Sequence, residues 1–117
     1  FNATPVAGAT AAQDYRNEPN GFGWVVEIDP FSPRSVPKKR TALGRFAHEG
    51  AWFAPAVPGR PLVVYMGDDS QNEYIYKFVT RERYNPAQTN GDCLDDGVLY
   101  VAKFSDDGSG EWLALDY

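Results

Sequence analysis

Apolar and polar residues alternate along "FGWVVEIDP". Trp24, Val26 and Ile28 fall on one side and Val25 and Glu27 on the other, the two-residue period of a half-buried strand that Asp29-Pro30 closes. "FSPRSVPKK" holds two further prolines and reads as a connection. "RTALGRF" and "EGAWFA" follow as two short strands, or as one strand kinked around Ala47–Gly50. After the turn cluster "PAVPGRP", the run "LVVYMGDD" is short, β-branched and aromatic, which suits a buried strand better than a helix. "EYIYKFV" sets Tyr74, Tyr76 and Phe78 on one face against Ile75 and Val79 on the other. "TRERYNPAQTNGDCLDD" is polar and irregular, with room for one helical turn over 81–90. "GVLYVAKF" and "EWLALDY" flank "SDDGSG", whose Asp-Asp-Gly predicts a hairpin.

No stretch sustains a helical period. Short strands at nearly regular spacing, with turn residues between them, predict an all-β sandwich, barrel or propeller. "GWVVEIDP" and "EYIYKFVT" look alike, and each precedes a loop and another strand, which favours repeated propeller blades. In that arrangement "HEGAWFA" is an innermost strand lining a central channel, "PLVVYMGDD" the second, "EYIYKFV" the third and "GVLYVAKF" the outer one. "GWVVEIDP" and "RTALGRF" then form the outer half of a preceding blade. The expectation is a partial β-propeller of about two incomplete blades over 22–117, preceded by an irregular arm over 1–21.

Composition narrows the function. The chain has 117 residues, room for one domain, and 43% of them are hydrophobic and 15% aromatic, enough to bury a core. A net charge of −5 argues against binding a nucleic-acid backbone, which requires a basic face. No apolar run approaches the ~20 residues of a membrane-spanning helix, and no charged start leads into an apolar stretch as in a signal peptide. The sequence opens at Phe1 without a methionine, which suggests processing or a longer parent. One cysteine, Cys93, gives no internal disulfide. With one histidine beside it, a closed zinc site is not expected.

Chemistry concentrates in "RFAHEGAWF", where the single histidine His48 precedes Glu49 and Gly50. Glu49 offers a carboxylate at the start of a strand, either as a metal ligand or as a solvated polar residue. His48 is a candidate partner that orients Glu49 through a hydrogen bond, against the simpler structural role. Asp68 and Asp69 end an apolar strand after Gly67, as suits oxygen ligands for calcium and equally suits turn capping. Asp95-Asp96-Gly97 and Asp106-Asp107-Gly108 read as turns, and Glu27 as an exposed residue. Arg45 and Arg60 are candidates for a bidentate phosphate contact, the kind a guanidinium can make, but a surface arginine beside a loop is the stronger reading. Trp24, Trp52, Tyr74, Tyr76, Phe78, Tyr100 and Trp112 read as packing residues. The sequence contains no glycine-rich phosphate loop and no nucleophile elbow.

"GWVVEIDPF", "KRTALGRFAHEGAWF", "VVYMGDD", "EYIYKFV" and "GVLYVAKF…GSGEWLAL" occur in this order between Gly21 and Leu115. Together they resemble consecutive motifs of the PhoX family of bacterial alkaline phosphatases; Cys93 and residues 1–20 are not placed in any of these motifs. The resemblance implies a secreted or periplasmic phosphomonoesterase with a multi-bladed propeller, exported folded by the twin-arginine route and using calcium with iron. It implies that Glu49, at the glutamate of the family's "HEG" motif, is a ligand of the metal cluster. Hard cations favour carboxylate oxygen, and metals so held polarise a phosphoryl oxygen. Family chains are several times longer, so the resemblance makes this a middle portion of such an enzyme, inactive alone. Its partners would be a phosphate monoester and the rest of the parent chain or further copies of itself. The competing reading is a non-catalytic β-sheet module that binds a partner; a propeller hydrolase of lactonase type is a weaker third.

Overall fold

The runs richest in β-branched and aromatic residues form the middle of a sheet, because such side chains pack best on a pleated, buried surface. In the computed structural model, which describes residues 7, 8, 10, 13, 14, 16, 18–88 and 90–115, seven strands make two antiparallel sheets. Val26–Glu27 (β1) pairs with Lys38–Lys39 (β2) in a small two-stranded sheet. His48–Phe53 (β3), Pro61–Asp68 (β4), Ile75–Arg83 (β5), Gly97–Phe104 (β6) and Gly110–Ala114 (β7) follow one another as a five-stranded meander in the order β3-β4-β5-β6-β7.

The all-β expectation is met. The four strands expected in one blade are neighbours in the expected order, and β7 adds a fifth beyond β6 through the Asp106-Asp107-Gly108 turn. Asp107 holds that turn by accepting from Ser109 N–H at 2.9 Å, and Gly108 takes the left-handed φ of 83° that the turn requires. The sheet is open. Closure into a propeller lies beyond what these strands form by themselves.

"RTALGRF" is not a strand. Thr41–Leu43 forms a 3-10 helical turn, and the residue that pairs beyond β1 is the lysine pair of β2. The cause lies on both sides of the turn. Arg40 swings its side chain inward, and Gly44 adopts φ 89° where a Cβ would meet Leu99 and Phe46 at 2.9 Å. Leu43, at the end of the turn, plugs the core at 1% exposure. The expected strand around Trp24–Ile28 shrinks to two residues, with Val26 and Ile28 exposed, so its likeness to "EYIYKFVT", nine strand residues as β5, does not carry into structure. The helical turn lies at Gly91–Asp95, later than expected, because β5 runs on to Arg83 and Asn90 caps the turn by accepting from Asp92 N–H. Most of the arm expected over 1–21 lies outside the described residues; Glu18–Gly21 makes a 3-10 turn.

One face of the sheet carries the core. Leu62, Val64 and Met66 of β4 and Phe78 of β5 pack with Leu43, Cys93 and Leu94, the last three delivered by the 3-10 turns Thr41–Leu43 and Gly91–Asp95. Burial raises the pKa of the Cys93 thiol, so it serves as an inert apolar side chain. At Gly97, a Cβ would press on Val79 O and the Phe78 ring at 2.4 Å, so β6 can reach β5 there only with glycine.

A charged knot ties the small sheet to this core. Arg40 is 1% exposed and donates from Nε to Glu27 Oε2 at 2.7 Å, from Nη1 to Asp95 Oδ2 at 2.7 Å and from Nη2 to Asp92 Oδ1 at 3.1 Å. Lys38 adds a bond to Asp92 Oδ1 at 2.6 Å. Burial disfavours the guanidinium, but the hydrogen bonds to Asp95, Glu27 and Asp92 more than offset it and raise its pKa. Glu27 and Asp95, expected to be exposed and in a turn, are thus ligands of a buried cation. Five donors in a fixed fork let arginine satisfy three carboxylates at once.

Candidate functional site

The "HEG" stretch lies where β3 begins, at an edge of the five-stranded sheet. His48 pairs with Asp68 of β4, but Gly50 pairs with Gly67, so Glu49 is the extra residue of a β-bulge. A bulge turns its residue away from the regular alternation and re-aims the side chain. Glycine on both strands at the next pair keeps the adjoining surface low, with no atom within 4 Å of where either Cβ would stand.

Glu49 is exposed and lines a small recess with Asp69, His48, Ala47, Phe46, Trp24 and Gly23. Asp69 is held there by its own backbone, whose N–H donates to Ala47 O at 2.9 Å. Asp68 does different work: its Oδ1 accepts from Ser70 N–H at 2.9 Å and caps the turn into β5, where Asn72 takes φ 63°. The structure therefore separates two aspartates that sequence alone left equivalent. Asp69 shares the recess with Glu49, and Asp68 braces the turn beside it.

His48 is fixed by stacking and by one hydrogen bond. Its ring lies 3.7 Å from that of Phe46, which in turn lies 4.3 Å from Tyr76. Nε2 sits 3.1 Å from Gly44 O. A carbonyl only accepts, so Nε2 carries the proton and Nδ1 bears a lone pair; Nδ1 is buried and has no partner among the described residues. Burial lowers the pKa of the imidazole despite the Gly44 bond and the nearby Asp68 charge, which keeps the ring neutral. Its hydrogen bond runs to the Gly44 carbonyl, and none joins it to Glu49 among the described residues.

Two hard oxygen donors thus face one recess. Carboxylates in this setting suit calcium or ferric iron better than soft metals. Among the described residues no group of three or more His, Cys, Asp or Glu side chains is placed to hold a metal ion. A metal ion held at this recess would need further ligands beyond Glu49 and Asp69. The arginines considered for phosphate contact have other positions: Arg45 donates to Phe22 O at 3.0 Å and Pro19 O at 2.6 Å, fastening the chain ahead of β1, while Arg60 is exposed in the loop before β4.

The sequence profile of the family described as Alkaline phosphatase PhoX matches residues 3–117. The chain belongs to the PhoX family. Among solved structures it is similar to Pseudomonas fluorescens PhoX in complex with vanadate, a transition state analogue, at 52% identity and a TM-score of 0.78 over 89% of this chain. The match spans 19% of that PhoX protein's length. A comparison with curated proteins gives no match. The five-stranded meander is therefore a piece of the PhoX fold, and the "HEG" bulge sits at its edge.

Proposed function

We propose that the chain is a segment of a longer PhoX-type phosphomonoesterase, periplasmic or secreted, in which the sheet β3–β7 is one blade of a propeller. The observation that carries this reading is the 52% identity to a PhoX protein whose structure contains vanadate, a transition state analogue. In it, β3 is the innermost strand and Glu49 is a ligand of a metal cluster containing calcium and iron. Asp69 supplies a second oxygen from the same recess, and Asp68 stands beside it as a further ligand candidate. Such metals, when bound, polarise the phosphoryl group and stabilise the charge that develops on it.

The chain's own residues position and shape. The bulge takes Glu49 out of the regular strand alternation, and the Asp69–Ala47 backbone bond holds the second carboxylate's residue at the same recess. His48, neutral and stacked, supports the start of β3 without adding positive charge that would compete with a cation. The remaining ligands and the groups that touch substrate come from other parts of the longer protein, so the 117 residues alone are expected to hydrolyse no phosphate ester at an enzymatic rate.

The test is phosphomonoester hydrolysis by the full-length protein supplied with calcium and iron, wild type against Glu49→Gln, with bound metal measured on both. Loss of activity together with loss of metal supports the ligand role. A variant that keeps its metals and its rate assigns Glu49 to solvent and moves the site elsewhere.

A further inference from the structure

A surface hairpin ordinarily turns its apolar side chains to the core and its charges to water. The β1–β2 hairpin does the reverse. Residues opposite each other in an antiparallel pair share a face, so Glu27 and Lys38 share one and Val26 and Lys39 the other. The face of Glu27 and Lys38 is the inner one, tied to Arg40 and to Asp92. The outer face carries Val26, and Ile28 continues it by the two-residue period. Both are open to solvent, and the loop beyond them adds Val36 at 79% exposure and Phe31 at 94%.

The exposure of Phe31 is built into the loop. Its N–H donates to Asp29 Oδ1 at 2.9 Å, and Ser35 closes a second turn by donating from N and Oγ to Ser32 O at 2.9 and 2.8 Å. Pro30, Pro33 and Pro37 restrict the backbone further. Charge is distributed against the trend of the chain. The net charge is −5, yet residues 28–39 carry Arg34, Lys38 and Lys39 against Asp29 alone. Lys38 is paired with Asp92, whereas no ion pair among the described residues involves Arg34 or Lys39. The hairpin thus presents apolar side chains interleaved with unpaired cations, the composition of a surface that meets something both apolar and anionic.

We propose that this hairpin docks on an anionic phospholipid surface, with Phe31 entering between headgroups and acyl chains while Arg34 and Lys39 meet the phosphates. Apolar insertion and basic charge are each weak attachments alone, and together they give reversible binding. Charge selects the lipid surface over a second copy, because two such hairpins brought face to face would oppose their own cations. A lipid interface also takes in a single protruding ring without a preformed pocket, whereas a protein partner has to supply one. Docking stands apart from the phosphomonoesterase reading, since a soluble ester reports activity whether or not the protein is on a membrane.

The test is co-sedimentation of the full-length protein with vesicles of phosphatidylcholine, with and without phosphatidylglycerol, at low and high salt. The expected result is binding to the anionic vesicles that salt weakens. Phe31→Ser should reduce it roughly tenfold and Arg34→Glu with Lys39→Glu at least as much, with hydrolysis of a soluble phosphomonoester unchanged in both. Hydroxyl-radical oxidation of Phe31, followed by mass spectrometry, checks the surface itself. Without vesicles Phe31 should oxidise near its urea-unfolded rate, and anionic vesicles should slow it. No binding to anionic vesicles overturns the proposal, as does binding that Phe31→Ser leaves intact or that pure phosphatidylcholine matches. Slow oxidation without vesicles overturns it too, assigning the hairpin to another part of the chain or, where protection grows with protein concentration, to a second copy. A docked protein that hydrolyses no ester refutes only the functional reading.

Discussion

Two charged regions of this chain are built from the same residue types and have opposite designs. At the Arg40 knot, a cation 1% exposed is matched by three carboxylates from two places in the chain, Glu27 of β1 and Asp92 and Asp95 of one 3-10 turn. In the "HEG" recess, Glu49 and Asp69 face the same space, and none of the described residues that line it with them is a lysine or arginine. Charge removed from water must be paired or it destabilises; charge left at a rim keeps its lone pairs for something else. The knot is therefore architecture, and the recess is where this segment has ligating capacity to offer.

The comparison breaks most visibly if Arg40 is removed. Arg40→Met should destabilise the protein by about 1–2 kcal/mol, because three charge-assisted hydrogen bonds are lost while the half-exposed Glu27, Asp92 and Asp95 regain water and Asp92 keeps Lys38. Urea denaturation of the full-length protein reads this directly. A change within about 0.5 kcal/mol would show that the knot is dispensable. Acid should act in the same direction. Lys38 first and then Arg40 lower the pKa of Asp92, so its contribution is whole above the ordinary 3.8 and is lost as pH falls below it. Wild type should lose that increment on acidification and Arg40→Met should lose less of it.

The second break is at the recess and should leave stability alone. Asp69→Asn keeps the shape and the backbone bond to Ala47, so its denaturation midpoint should match wild type. If Asp69 shares a cation with Glu49, metal affinity and phosphomonoester hydrolysis should fall by roughly tenfold to a hundredfold, the cost of weakening one oxygen donor in a metal site. Asp68→Asn supplies the contrast. Its carboxylate caps the turn through Ser70 N–H, so a small loss of stability, about 0.5–1 kcal/mol, should accompany it. Equal metal loss in both variants would erase the distinction between the two aspartates.

The parts of the molecule that follow a local rule were legible in the sequence. The runs that became β4, β5 and β6 declare themselves by β-branched and aromatic content, and Asp106-Asp107-Gly108 by turn chemistry. The start of β3 at His48 was also visible, because a polar pair precedes an apolar run. What escaped was non-local. Nothing near Arg40 announces that it will be buried, since its partners lie 13 to 55 positions away. Once it is buried, "RTALGRF" cannot remain extended. Asp68 and Asp69 were inseparable for a related reason: which of them turns toward Glu49 depends on the register of β3 against β4 and on a bulge that no pattern of apolar residues specifies. Trp52 and Trp112 were read as packing; Trp112 does lie against Tyr65 and Lys77, whereas Trp52 is 80% exposed.

The finest test of the comparison concerns His48, which lies at the recess but is held as the knot is, by burial and a backbone bond. Its folded pKa is lowered below the ordinary 6.5, chiefly by burial, so the unfolded chain takes up the proton first. Stability from the neutral ring is then whole above 6.5 and declines as pH drops from 6.5 through the lower folded value. The effect should be smaller than that of Asp68→Asn, because solvent reaches part of the ring and screens the charge. His48→Phe keeps the stack on Phe46 and cannot titrate, so its stability should stay level across that window while wild type bends downward. Parallel curves would mean that the ring is open enough to accept its proton without cost. In that case His48 would belong with Glu49 and Asp69 as a group free to serve a ligand.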